Sequence, residues 1–248
     1  MLSKAVIKYI NSLQVKKYRN QHQAFVVEGA KSVLELLQSG FELQLVYVTE
    51  SFEKEHARLL GKGITYEVVT EADLVRAGTY ASNNAALAVA HMRQLPEPIV
   101  ASTELVIALD DIRDPGNLGT IIRIADWYGI EKIICSENCA DFYNPKVIAA
   151  TMGSFTRMQV HYLNLENWLT QLNKTHQIYG ASLDGENIHQ MKLQPQGIVV
   201  MGNEANGIRP EVAKLVNQLI KIPAFGQAES LNVATATAII IDNFRRWA

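Results

Sequence analysis

The chain is poor in the features that mark several protein classes. Of its 248 residues only two are cysteines, Cys135 and Cys139. Two thiols at C-x-x-x-C spacing, with no second ligand pair nearby, make neither a disulfide framework nor a zinc site, so no metal is expected. A reduced, cytoplasmic protein is the expectation. No apolar run approaches the roughly 20 residues that span a bilayer, so no membrane association is expected. The opening MLSKAVIKYINSLQVKKYRN keeps its charges throughout and lacks a compact apolar stretch before a cleavage site, so it does not read as a secretory signal. The formal net charge is only −2, which argues against a uniformly basic nucleic-acid binder. No internal repeat or low-complexity segment is present. No G-x-G-x-x-G follows a strand, which disfavours a dinucleotide-dependent oxidoreductase.

What is present is unevenly distributed. Lys4, Lys8, Lys16, Lys17, Arg19 and Lys31 crowd the first part of the chain, opposed there mainly by Glu28. A solvated helix face would carry such charges. So would an RNA-facing patch, because phosphate attraction depends on local charge. Lys16, Lys17 and Arg19 are the RNA-binding candidates.

Residues 1–95 read as a small α/β unit. Strands are expected at 24–29, 43–49, 64–70 and 86–92. Helices are expected after Gly29, up to Leu60, and over EADLVRAG. QLPEPIVASTE, with Pro96 and Pro98, reads as a boundary. A second unit follows over 105–248. LVIALDDI (105–112) has the near-continuous apolar character of a buried parallel strand. Further strands are expected at 132–136, 157–163, 178–183, 197–202 and 218–223. Helices are expected at TIIRIADWYGI, from NPKVIAATMG, and near 166–174, 210–217 and 231–247. The fold class is α/β with a largely parallel sheet.

Three clusters lie at the carboxyl ends of these strands, where open α/β sheets place ligands. The first is Asp110-Asp111-Ile-Arg-Asp114-Pro-Gly-Asn117-Leu-Gly119-Thr-Ile-Ile-Arg123. Asn117 or Thr120 could cap the helix that follows. Arg123 could pair with one of the three aspartates, or serve a site. The second is Met201-Gly202-Asn203-Glu204-Ala205-Asn206-Gly207-Ile208, a loop that offers backbone groups and one carboxylate, or an ordinary Asn-Gly turn. The third runs from Ile222-Pro223 through Gly226 to Ser230-Leu231-Asn232-Val233. There Ser230 or Asn232 caps a long helix that begins with small residues.

Together the clusters resemble the SpoU (TrmH-like) branch of the SPOUT methyltransferase superfamily. N-x-G-x-x-x-R matches Asn117, Gly119 and Arg123. G-x-E-x-x-G matches Gly202, Glu204 and Gly207. I-P-x-x-G-x-x-x-S-L-N-V matches Ile222 through Val233. The resemblance implies a trefoil-knotted C-terminal domain that dimerises with a second copy, and a small N-terminal substrate-binding domain of ribosomal-protein-like fold. It implies S-adenosylmethionine as cofactor, held largely by backbone at Ala181, Ser182, Met201, Gly202, Ile222 and Leu231. It implies 2′-O-methylation of RNA ribose, with Asn117, Arg123, Glu204, Ser230 and Asn232 at the active site and ribosomal RNA as the expected substrate. A tRNA ribose methyltransferase and a non-catalytic RNA-binding ribosome-assembly factor are the alternatives. A free guanidinium stays protonated at physiological pH, so the role expected of Arg123 is electrostatic. Ala205 stands where the family often has glycine.

Overall fold

A computed structural model describes residues 1–246 and divides the chain into two compact units. The first comprises Met1–Gln94 with Asp141–Thr156, and the second Leu95–Ala140 with the chain from Arg157 on. Residues 141–156, which the sequence pattern assigned to the second unit, therefore belong to the first.

In the first unit, α1 (Lys4–Ser12) and α2 (Lys16–His22) lead into β1 (Ala24–Glu28). Then follow α3 (Ala30–Leu37), β2 (Leu43–Val48), α4 (Glu50–Leu60), β3 (Glu67–Val68), α5 (Glu71–Ala77) and β4 (Ala86–His91). The sheet order is β1-β4-β2-β3, with β4 antiparallel to both neighbours and β2 parallel to β3. The expected strand at 64–70 contracts to two residues, both exposed. β1 is buried along its whole length. Phe25 on it meets Phe41, Tyr143 and Phe155 at centroid distances of 5.5, 4.6 and 6.0 Å. The last two rings come from the 141–156 segment, which explains its place: its aromatic face is buried here. α7 (Pro145–Thr151), started by Pro145 after an Asn144 cap, lies in this segment.

The second unit is built on β5 (Leu105–Leu109), β6 (Lys132–Ser136), β7 (Gln159–Leu163), β8 (Ile178–Asn187), β9 (Gly197–Met201) and β10 (Gln218–Lys221). Their order is β10-β8-β9-β5-β6-β7, and every pairing is parallel. α6 (Pro115–Trp127), α8 (Leu165–Leu172), α9 (Pro210–Ala213) and α10 (Val233–Arg245) connect the strands or end the unit. β5 and β9 are wholly buried, as their continuous apolar runs require of central parallel strands. The helix expected over 210–217 stops at Ala213. That expected over 231–247 begins at Val233, and residue 247 lies outside the described residues. β8 outlasts its expected end, and its register with β10 jumps from Leu219↔Gly180 to Ile220↔Glu186. Residues 181–185 thus leave the ladder. A Cβ at Gly185 would lie 2.5 Å from the Ile220 backbone, so glycine is required where the chain returns.

Candidate active site

The three clusters converge at the carboxyl edge of the parallel sheet. Asp114, not Asn117 or Thr120, caps α6: its Oδ1 accepts from the Asn117 amide at 2.8 Å, and Pro115 occupies the first turn. The Asn117 side chain is therefore free. Its Nδ2 donates to Glu204 Oε1 at 2.5 Å, and its Oδ1 accepts from Asn232 Nδ2 at 2.8 Å. Asn232 Oδ1 in turn caps α10, accepting from the Ala234 and Thr235 amides at 2.9 and 3.3 Å.

Chemistry determines the direction of this relay. A carboxylate only accepts, so Asn117 must present its amino group to Glu204. Helix N-terminal amides only donate, so Asn232 must present its oxygen to them. Both asparagines are thereby fixed in one orientation. Asn117, Glu204 and Asn232, one from each cluster, form a continuous chain of hydrogen bonds open to solvent.

Arg123 and Ser230 are not drawn into the relay. Both are exposed, and neither side chain makes a hydrogen bond or ion pair with any described residue. None of the aspartates considered for Arg123 pairs with it. Fully buried Asp110 accepts from Arg209, at 2.8 Å from both its backbone amide and Nε. Asp111 binds Arg113 at 2.9 Å, and Asp114 is the helix cap. The Asp110 carboxylate, hydrogen-bonded to it, holds the Arg209 guanidinium above its ordinary value despite the opposing effect of burial.

The expected cofactor residues sit on three neighbouring strand ends. Ala181 and Ser182 lie half-buried in the stretch of β8 that leaves its ladder with β10. Met201 is buried at the end of β9, its carbonyl accepting from the Asp110 amide at 2.9 Å. Gly202 must be glycine, since a Cβ there would lie 2.3 Å from the Gly207 carbonyl carbon. Ile222 is half-buried and Leu231 exposed at either end of the loop after β10. From Ala224 to Leu231 no backbone group is hydrogen-bonded to another described residue. This loop carries no lysine or arginine and one glutamate, Glu229. Unpaired backbone donors and acceptors, apolar Leu183 and Leu231, and the lack of a repelling cation fit a sulfonium cofactor.

Of the RNA-binding candidates, Lys16 and Lys17 are exposed on α2. Arg19 is not: it is 2% exposed, its Nε donates to Asp141 at 3.1 Å, and Nη1 donates to the Leu13 and Gln14 carbonyls at 2.8 Å each. Helical periodicity turns it inward while its neighbours face water, so it is a structural cation. Cys135 and Cys139 are buried free thiols. Among the described residues no group of three or more His, Cys, Asp or Glu could hold a metal, and no helix is long and apolar enough to cross a membrane.

Sequence reasoning missed Arg209 and Asn203. Asn203 closes a bridge with Gly207 and donates from Nδ2 to the Asp111 carbonyl at 2.9 Å. An acidic pair ending a buried strand was the one signal that partners were needed.

Residues 104–242 match the SpoU rRNA Methylase family, and 4–88 an MRM3-like substrate binding domain. The chain is 30% identical over 244 residues to the 23S rRNA (guanosine(2553)-2′-O)-methyltransferase RlmP of Bacillus subtilis, covering 96% of this chain and 95% of that one. Among solved structures, a TrmH-family protein from Porphyromonas gingivalis superposes with a TM-score of 0.88 at 36% identity, covering both chains completely. An AdoMet-bound rRNA methyltransferase from Sinorhizobium meliloti superposes with a TM-score of 0.87 at 29% identity, covering 100% of this chain and 96% of that one.

Proposed function

The chain belongs to the SpoU rRNA methylase family, and on that premise we propose that it transfers a methyl group from S-adenosylmethionine to a ribose 2′-hydroxyl of ribosomal RNA. The observation that carries this reading is the relay from Asn232 through Asn117 to Glu204, which joins all three sequence clusters at the sheet edge beside the unpaired loops. The match of 104–242 to the SpoU rRNA methylase family and the kinship with a 23S rRNA methyltransferase support ribosomal RNA as the target.

The cofactor, when bound, supplies a methyl carbon made electrophilic by the adjacent sulfonium. Met201, Gly202, Ile222 and Leu231, with Ala181 and Ser182, would hold it through main-chain groups and apolar contact. The protein's own part is alignment and charge. Asn117 occupies Glu204 Oε1, while the other Glu204 oxygen accepts nothing from the described residues and is open to the ribose hydroxyl. Orienting that hydroxyl is worth several kcal/mol of barrier, about 7–11 for ideally placed reactants. Arg123, with no partner of its own, steadies the charge that grows on the ribose oxygen or its flanking phosphate. Ser230 lies beside Asn232 and contacts the same nucleotide.

Lys16 and Lys17 supply phosphate attraction on α2, where Lys17 Nζ lies 5.9 Å from the Tyr18 ring centre. The protein works in the cytoplasm as a homodimer. The second unit, with its β10-β8-β9-β5-β6-β7 order, is knotted as a deep trefoil. Calorimetric titration with S-adenosylmethionine tests the cofactor, because a ligand of the native state must stabilise it. Mapping 2′-O-methyl sites in total RNA with and without the gene tests the substrate. The absence of both binding heat and thermal stabilisation at millimolar ligand overturns the reading, and an unchanged ribosomal RNA map overturns the target.

A further inference from the structure

We propose that Arg209 is a positioning residue for the transfer reaction: by clamping Asp110 it fixes the loop bearing Glu204, and through Glu204 it sets the Asn117 amide. This deepens the methyltransferase reading and rests on it.

The argument starts at the end of β5. Asp110 is 0% exposed, and a carboxylate without water must be fully hydrogen-bonded to remain ionised. One residue meets that demand. Oδ2 accepts from the Arg209 backbone amide at 2.8 Å, Oδ1 accepts from Nε at 2.8 Å, and Nη2 lies 2.7 Å from Oδ1 in the ion pair. The contact therefore fixes the Arg209 main chain as well as its guanidinium.

Arg209 closes the loop that leaves β9 at Gly202, immediately before Pro210 starts α9. The other end is tied to the next residue of the same strand end, where Asn203 Nδ2 donates to the Asp111 carbonyl at 2.9 Å. Asp111 holds a left-handed φ of 65°, a conformation costly for any residue but glycine. Between the two ties the loop is pinched by reciprocal Asn203–Gly207 backbone bonds of 3.0 and 2.8 Å. Glu204 sits on this double-anchored turn, and its carboxylate is the acceptor that orients Asn117. Consecutive aspartates thus anchor both ends of the loop. A loosened Arg209 end frees Glu204 to drift, and displacements of about 1 Å can cost around a hundredfold in rate.

The test uses the full-length protein. Arg209→Lys keeps the charge and the backbone amide but loses the planar fork. Its single-turnover methyl transfer at saturating cofactor should fall by about tenfold or more, with the RNA KM unchanged. Amide hydrogen exchange over 203–208 should quicken while β5 and α10 keep their protection. Because the effect passes through Glu204, Arg209→Lys combined with Glu204→Gln should be no slower than Glu204→Gln alone. An Asp110→Asn, Arg209→Gln variant, which leaves no buried charge unpaired, should show the same loss should other variants fold poorly. Rate losses that multiply in the double variant overturn the proposal, as does unchanged exchange over 203–208. Wild-type protein that transfers no methyl group overturns the underlying reading instead, and the exchange data then decide the clamp alone.

Discussion

Arg123 is the residue whose role changes most between sequence and structure. On sequence it had three acidic neighbours, and a structural ion pair was the simplest account. In the fold, each aspartate is committed elsewhere, and Arg123 stands exposed on α6 without a partner. Removing an exposed, unpaired side chain should cost within about 0.5 kcal/mol of stability. Arg123→Ala should therefore melt like the parent and bind cofactor normally. Methyl transfer should nonetheless fall by roughly 100-fold, the scale for one preorganised charge-stabilising donor. Arg123→Lys should restore little, because an ammonium cannot reproduce the fork. Single-turnover methylation beside thermal unfolding of the same samples checks this, and a folded Arg123→Ala variant with near-parental turnover removes Arg123 from the mechanism. The side-chain amides teach a related lesson. Asn117, Glu204 and Asn232 were all legible as site residues from their motifs. That Asn117 links the other two was not, because residues 87 and 115 positions away meet it only in the folded chain.

At the scale of elements, α2 shows how a helix sorts a run of cations. Lys16 and Lys17 face solvent, while Arg19 faces Asp141 from a segment more than a hundred residues later. The same charge on neighbouring positions should therefore behave in opposite ways. Replacing Lys16 and Lys17 with Ala should weaken RNA binding and flatten its salt dependence by about 0.7–0.9 log units per lost phosphate contact, with little effect on melting. Arg19→Ala should leave a nearly buried carboxylate unpaired and destabilise the fold by about 3–5 kcal/mol. Filter binding across a salt series, with denaturant unfolding of each variant, separates the two effects. A stable Arg19→Ala protein with weakened RNA binding would reverse the assignment. Periodicity located most strands and helices because burial on one or both faces is written into local apolar spacing. It missed the excursion at 181–185, which depends on how β10 aligns with β8.

At the scale of the whole molecule, α6 leaves a stripe of Thr120, Arg123 and Trp127 in solvent, with Trp127 82% exposed. If the proposed homodimer forms through the second unit, this stripe is the face we expect it to cover. Trp127→Glu should leave the protomer folded, since the side chain is 82% exposed, yet shift the protein towards monomer in sedimentation analysis. A wild-type protein that sediments as a monomer at micromolar concentration would sink the dimer, and an unaffected Trp127→Glu dimer would move the interface elsewhere.

The sequence alone determined the α/β class, the parallel character of the second sheet and the three motif clusters. Each of these is encoded over short stretches, by apolar runs, turn residues and fixed spacing. Tertiary structure alone decided that 141–156 joins the first unit, because Tyr143 and Phe155 find their apolar partners on β1 and nearby Phe41. It also decided which partner each charge takes. A buried charge binds whichever group the fold brings within hydrogen-bonding distance, and for Asp110 that group is Arg209, 99 residues away.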